Sequence, residues 1–306
     1  MTSSHALIVG EALVDVVIQP DGSTETHPGG SPANVALGLG RLGRDAELLT
    51  ALGNDVHGRL VRSHLEASRV TVAGGTPAPS TSVATAHIDA HGVATYDFDL
   101  AWALPADPVT RPGPVAVHTG SIAAVLEPGG SDVMRLLRDA RVDSTITYDP
   151  NARPTLMGDP HDALARIEAF VELADVVKVS DEDLDWLMPG VDPLEVARQW
   201  ASAATALVVV TRGGEGSVAV AAGQVIEVPS VRVDVVDTVG AGDSYMAGLI
   251  DGLWEADLLG AHRRDALAAA PGNVIAEVLE RCARIAAITV SRAGANPPWS
   301  AELDGD

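Results

Sequence analysis

Short β-branched runs alternate with longer Ala/Leu/Arg-rich stretches of helical pattern along most of the chain, which predicts an α/β fold with a mostly parallel sheet. The strand candidates are ALIVG (6–10), AELLTALG (46–53), VAVHTGS (115–121), TITYDPN (145–151), VVKVS (176–180) and ALVVVTRG (206–213). Each runs into polar or glycine-containing residues and then helix-like sequence. Ligands of a doubly wound sheet sit at the carboxyl ends of its strands, so the residues that end these runs are the ones to inspect.

Two segments break the alternation. ALVDVVIQPDGSTETHP (12–28) predicts a hairpin around PDGS, and TSVATAHIDAHGVATYDFDL (81–100) a second around AHG. Joined, they would form one small sheet, a lid of about 12–30 and 81–104 inserted in a single domain of 1–306. Tyr96, Phe98 and Trp102 fall in or just after the second hairpin. They are expected to form the small sheet's own core, with direct stacking on a ligand as the alternative. VRVDVV (231–236) reads as strand-like, and the Gly/Pro-punctuated stretch 254–273 as a surface loop between two helices.

Composition narrows the function classes. No apolar run among the 306 residues approaches the ~20 a membrane helix needs, and the N-terminus has no basic segment before its short apolar run. Cys282 is alone, so no internal disulfide can form, and a cytoplasmic protein is expected. The net charge of -22 argues against a nucleic-acid surface. A single nucleotide answers to a local field, however, and would rely on backbone N–H groups and isolated cations. Lys178 is the only lysine.

DTVGAGDSYMAGLI (237–250) has the richest chemistry. Gly240 and Gly242 let the backbone approach a ligand, and Gly240, Ala241, Gly242 and Asp243 would start a helix whose unpaired N–H groups make an anion site. Asp243 either caps that helix or accepts a proton from an attacking hydroxyl. GLGRLG (38–43) matches the dinucleotide fingerprint formally, but it lies near the end of a helical pattern instead of after a strand. There is no G-x-x-x-x-G-K-[ST], and the one lysine follows Val177, so a Walker A loop is impossible.

Asp149, Asn151 and Arg153 follow one strand at alternate positions, where Arg153 suits phosphate or a sugar oxygen. Lys178, Ser180, Asp181, Glu182 and Asp183 end another, as a capped acidic helix start or a water-mediated Mg²⁺ site. TRGGEG suits either the face of a nucleotide or a plain hairpin turn. Asp15, Gly29, Gly30 and Asn34 suit sugar hydroxyls.

With GGSPANVALGLGRLG and DTVGAGDSYMAGLI in this order, the chain resembles the ribokinase-like (PfkB) carbohydrate kinase family nearly end to end, most closely its bacterial fructokinases, with 2-keto-3-deoxygluconate kinases next. The resemblance implies a Rossmann-like doubly wound, mostly parallel sheet with a small β-sheet lid, ATP and Mg²⁺ as cofactors, K⁺ as a possible activator, and a homodimer through the lid. It makes Asp243 the catalytic base, Gly240, Ala241 and Gly242 with Asp243 the anion hole, and Arg153 a partner in catalysis. Asp15, Gly29, Gly30, Asn34, Asn151 and Arg153 become sugar-site residues, with Tyr96 and Phe98 as further candidates. Thr211, Gly213, Gly214 and Gly216 resemble the nucleotide-binding turn, with Lys178 at a strand end facing the phosphates. Asp237, Val239, Arg292 and Gly294 would hold the monovalent cation. Many members carry N-x-x-E for the Mg²⁺ water shell; here Ser180 and Asp183 occupy those places, leaving the choice between Glu182 and Asp183 open. Two rivals stand beside a sugar kinase: a non-catalytic sugar or nucleotide sensor, and a dehydrogenase resting on GLGRLG alone.

Overall fold

Residues buried at consecutive positions, not alternate ones, fill the central strands of the main sheet, as a sheet covered on both faces requires. The computed structural model describes residues 4–89, 94–201 and 205–303. Its strands are β1 (Ala6–Val9), β2 (Leu13–Ile18), β3 (Thr24–Gly29), β4 (Ala46–Leu49), β5 (Val70–Val72), β6 (Ser82–Ile88), β7 (Ala94–Asp99), β8 (Ala116–Gly120), β9 (Thr145–Asp149), β10 (Val176–Ser180), β11 (Leu207–Thr211), β12 (Ser217–Ala221) and β13 (Gln224–Val228). The helices are α1 (Ser31–Arg41), α2 (Val56–Ala67), α3 (Ile122–Val125), α4 (Gly129–Ala140), α5 (Pro154–Met157), α6 (Pro160–Val171), α7 (Asp181–Leu187), α8 (Pro193–Trp200), α9 (Ala241–Glu255), α10 (Arg264–Ala268) and α11 (Gly272–Val290).

Nine strands form the main sheet in the order β13-β12-β11-β10-β9-β8-β1-β4-β5. From β11 to β5 every pairing is parallel, while β12 and β13 add an antiparallel edge. The chain winds from β1 out to β5 and returns to β8 on the other side of β1, so the topological switch lies between β1 and β8, where a ligand crevice opens. Strand parity sorts the core into two layers. Ala6, Ile8, Leu207 and Val209 pack with α1, α9 and α11, whereas Leu7, Val9, Val208 and Val210 pack with α4, α6 and α8.

The four-stranded second sheet has the order β3-β2-β6-β7. Each hairpin is antiparallel, and the two are joined by a parallel pairing of β2 with β6. The turn expected at 90–92 lies outside the described residues.

Four expectations are corrected. Tyr96 and Phe98 do not make a core for the small sheet: they are 59% and 38% exposed and stack on each other, because one face of that sheet is open. Trp102 leaves it altogether, donating to Ala123 O at 3.0 Å inside the second core layer. VRVDVV pairs with no strand among the described residues; Val231, Val233, Val235 and Val236 stand exposed along a loop. The 254–273 stretch carries α10 and buries Leu258, Leu259 and Leu267, and Arg264 binds Asp175 at 2.8 Å with the carbonyls of Arg141 and Ser144 at 2.6 Å.

The glycines of GLGRLG serve packing. A Cβ at Gly38 would lie 2.6 Å from Ala247 Cβ of α9, and one at Gly40 only 2.1 Å from Ser68 O, so these residues let α1 approach its neighbours.

Candidate active site

A cavity of about 960 Å³ opens at the carboxyl ends of the main strands, within the usual size range of small-molecule sites. Its walls come from the segments after β1, β8, β9, β10 and β11, from the start of α9, and from one face of the small sheet.

Asp243 stands at the centre of this arrangement. It is the third residue of α9, 6% exposed, and it does not cap its helix: the N-cap is Gly240, in the left-handed conformation, and makes no side-chain bond. The carboxylate turns into the cavity. Its Oδ1 accepts from Ser31 Oγ at 2.7 Å and Asn151 Nδ2 at 3.2 Å, and its Oδ2 from Asn34 Nδ2 at 2.8 Å. Three donors, two on α1 and one after β9, fix the group in the cavity wall. Ser31, the first residue of α1, is missing from the sequence-based site; it stands between Gly30 and Asn34 in GGSPAN, and its neighbours were the only signal.

Arg153 completes the chain of contacts. Its Nη1 donates to Asn151 Oδ1 at 2.6 Å and to Ala152 O at 2.9 Å. Because the amide oxygen of Asn151 is taken by the arginine, its Nδ2 is left to face Ser31 and Asp243. Arg153 itself is exposed at the cavity.

Beneath the start of α9 lies a buried ion pair. Lys178 Nζ is 2.8 Å from Asp149 Oδ2, with side-chain exposures of 3% and 0%. Lys178 is therefore not at a strand end, as expected, but in the middle of β10, and it reaches the cavity wall from below, donating to Gly242 O at 3.4 Å. Burial works against its ammonium, yet the carboxylates of Asp149, Asp183 and Asp243 outweigh it and lift the pKa. Burial also lifts Asp149 well above the ordinary carboxylate range, in spite of the lysine. Above the pair, Gly240 has φ 75°, and a Cβ there would meet that of Ala295 at 2.6 Å, so only glycine fits the turn.

The acidic helix start is a capping box: Asp183 N donates to Ser180 Oγ at 3.0 Å, and Ser180 N to Asp183 Oδ2 at 3.3 Å. Asp183 Oδ1 also accepts from Ala152 N at 2.9 Å, tying the ends of β9 and β10 together. Asp181, Glu182 and Asp183 all line the cavity, with Glu182 the most exposed of the three. An oxygen-only donor set of this kind suits a hard divalent cation held through water.

Thr211, Gly213, Gly214 and Gly216 line the far end, where the hairpin β11–β12 turns. Gly216, at φ 96°, leaves no room for a Cβ, which would lie 2.2 Å from Val228 O. The valine-bearing loop expected as a strand forms the opposite wall, with Ala283, Ala286 and Val290 of α11. An alternating V-x-V pattern marks a half-buried surface, and here a cavity provides it instead of a sheet.

Asp237 Oδ1 accepts from Val239 N at 3.0 Å and its Oδ2 from Gly294 N at 2.8 Å, and these bonds hold its carboxyl below the ordinary range. Three of the four residues expected at a monovalent cation site thus meet. The side chain of the fourth, Arg292, turns to Glu302 at 2.6 Å.

On the small sheet, Asp15, Ala84 and Phe98 occupy one row of the register, facing the cavity. Tyr96 is one row further out and is not part of the wall. Although solvent reaches Asp15 through the cavity mouth, the enclosing walls desolvate it and raise its pKa, with His27 and Arg153 pulling the other way. Gly29 makes room for this carboxylate: a Cβ would lie 2.1 Å from Asp15 Oδ2. Gly30, at φ 105°, lies against Glu11 O.

A family model described as pfkB family carbohydrate kinase matches residues 3–302. A fructokinase of Rhizobium leguminosarum bv. trifolii is 36% identical over 265 residues, 83% of this chain and 81% of that protein. The crystal structure of fructokinase with bound ATP from Xylella fastidiosa superposes with a TM-score of 0.82 at 25% identity, covering 98% of this chain and 97% of that one. Fructokinase from Vibrio cholerae O395, in its fructose, ADP and calcium ion bound form, gives a TM-score of 0.78 at 27% identity, covering 96% and 95%. A double mutant of the latter, in a fructose, ADP and potassium ion bound form, gives 0.77 at 26%, covering 95% and 94%.

Proposed function

The chain belongs to the pfkB family of carbohydrate kinases, and from that premise we propose that it is an ATP-dependent fructokinase with Asp243 as its catalytic base. It is a phosphotransferase with an alcohol group as acceptor. The single observation that carries the residue assignment is the buried carboxylate of Asp243, held by Ser31, Asn34 and Asn151 where a sugar-sized recess meets the N-terminus of α9.

The sugar lies between Asp15, Asn34, Asn151 and the cavity face of the small sheet, which acts as a lid. The primary hydroxyl of the sugar meets Asp243, and the nucleotide extends past Gly240 towards Thr211 and Gly216. A carboxylate is too weak a base to ionise an alcohol beforehand, so the proton passes to Asp243 as the new oxygen–phosphorus bond forms. The N–H groups at the start of α9 stabilise charge on the transferred phosphoryl group, and positioning supplies much of the remaining acceleration. Arg153 orients Asn151 in the structure described and can turn its free guanidinium edge to a phosphate. Lid closure excludes water that would compete as acceptor.

Asp183 and Glu182 are the residues for Mg²⁺, which neutralises nucleotide phosphate charge when bound. Asp237, the carbonyl of Val239, and the 292–294 segment are the residues for K⁺.

An ADP-release assay over fructose, 2-keto-3-deoxygluconate, ribose, tagatose and nucleosides, with and without K⁺, tests the reading. Fructose is expected to give the highest kcat/KM, with K⁺ raising turnover. A preference for any other acceptor overturns the fructose assignment, and nucleotide binding without turnover on any acceptor favours the sensor.

A further inference from the structure

Glu11 has no part in the chemistry described so far. It follows β1 where the chain leaves the main sheet for the small one, and it lines the cavity although the residue is only 5% exposed. A carboxyl group this deep needs partners, and the β8–α3 turn supplies them. Glu11 Oε2 accepts from Ala123 N at 3.2 Å, and the Ser121 side chain lies close enough to favour the ionised form of the same carboxyl group. Ser121 adopts φ 55° and ψ -146°, a rare conformation for a residue with a Cβ, so the turn that meets Glu11 is held under backbone strain.

We propose that Glu11 is a further acceptor-binding residue of the phosphotransfer site, one carboxyl oxygen fixed by the 121–123 turn and the other contacting a hydroxyl of the bound sugar. This rests on the sugar-kinase reading above. The chemistry of the recess favours it. Asp15 and Asp243 only accept hydrogen bonds when ionised, whereas a polyol also presents oxygens that need donors. Burial pushes the Glu11 carboxyl up to about 8; its backbone and Ser121 bonds and the charge of Arg153 oppose the shift, and Asp243 adds to it. At neutral pH Glu11 is therefore an O–H donor beside two acceptors. The charged groups facing it are Arg153 after β9 and Asp243 of α9, with Asp15 of β2 on the same cavity. Its ionisation places another negative charge among two carboxylates and removes a donor, so sugar binding weakens as pH rises through about 8.

The test is steady-state kinetics of the full chain with fructose and ATP varied separately, from about pH 6 to about pH 9.5, for wild type, Glu11→Gln and Glu11→Ala. In the wild type the KM for sugar rises about tenfold over the pH unit above the transition, and the KM for ATP stays level. Glu11→Ala raises the sugar KM at neutral pH about three- to tenfold. Glu11→Gln, which keeps a neutral donor, recovers most of that loss, and its sugar KM no longer rises above pH 8. An alkaline rise that persists unchanged in Glu11→Gln overturns the proposal. So does a Glu11→Ala defect that falls equally on the KM for ATP and on thermal stability, which marks a packing role. Wild-type protein that turns over no sugar defeats the parent reading, and this one with it.

Discussion

Asp243→Asn lowers turnover by about two to four orders of magnitude while nucleotide binding persists. The expectation follows from how the carboxylate is held. Ser31 and Asn151 donate to Oδ1 and Asn34 to Oδ2, so an amide in its place keeps the volume but turns its NH₂ against one of these donors and can no longer accept the proton of the incoming hydroxyl. The N–H groups of α9 and the turn at Gly213 and Gly216, the proposed nucleotide contacts, stay as they are. Calorimetric titration with ATP, beside single-turnover assays, separates the two properties. Turnover near wild type removes the base assignment; loss of ATP binding as well marks Asp243 as a residue that shapes the nucleotide site.

The second large effect concerns the Lys178–Asp149 pair. Lys178→Met leaves an unpaired carboxyl group completely buried, and its cost to stability is about 3–5 kcal/mol. The double variant Lys178→Met/Asp149→Leu removes both charges and recovers most of that stability, because the desolvation of two ions disappears with them. It does not recover turnover, since the ammonium that donates to Gly242 O below the proposed phosphoryl site is gone. Denaturant unfolding and ADP release on the three proteins decide the matter. Turnover that returns together with stability makes the pair a scaffold with no electrostatic part in the reaction.

Much of this architecture was legible in the sequence, for identifiable reasons. Runs such as VVKVS and LVVVT are buried at consecutive positions because both faces of the main sheet are covered, and their polar ends fall at the cavity. VRVDVV misled because exposed valines lining a cavity produce the same alternation as a strand with one covered face. The position of Lys178 was off by half a strand: a lysine among valines near a strand terminus is read as reaching outwards, whereas its partner Asp149 on the neighbouring strand draws it beneath α9. Ser31 and Glu11 carry no pattern of their own. Ser31 becomes part of the site because α1 and α9 cross closely at Gly38, and Glu11 because the β8–α3 turn folds back over it. Contacts between segments more than a hundred residues apart leave no local trace.

The central claim is that ATP and fructose react at Asp243 to give a sugar phosphorylated on a primary hydroxyl. Proton-coupled phosphorus NMR of a reaction mixture containing the protein, ATP, Mg²⁺ and fructose reads it directly. The expected result is a new phosphomonoester triplet, split by the two protons of a CH₂–O–P group, growing in step with ADP and absent with Asp243→Asn. ADP accumulating with inorganic phosphate alone, or a doublet from a secondary ester, would contradict it.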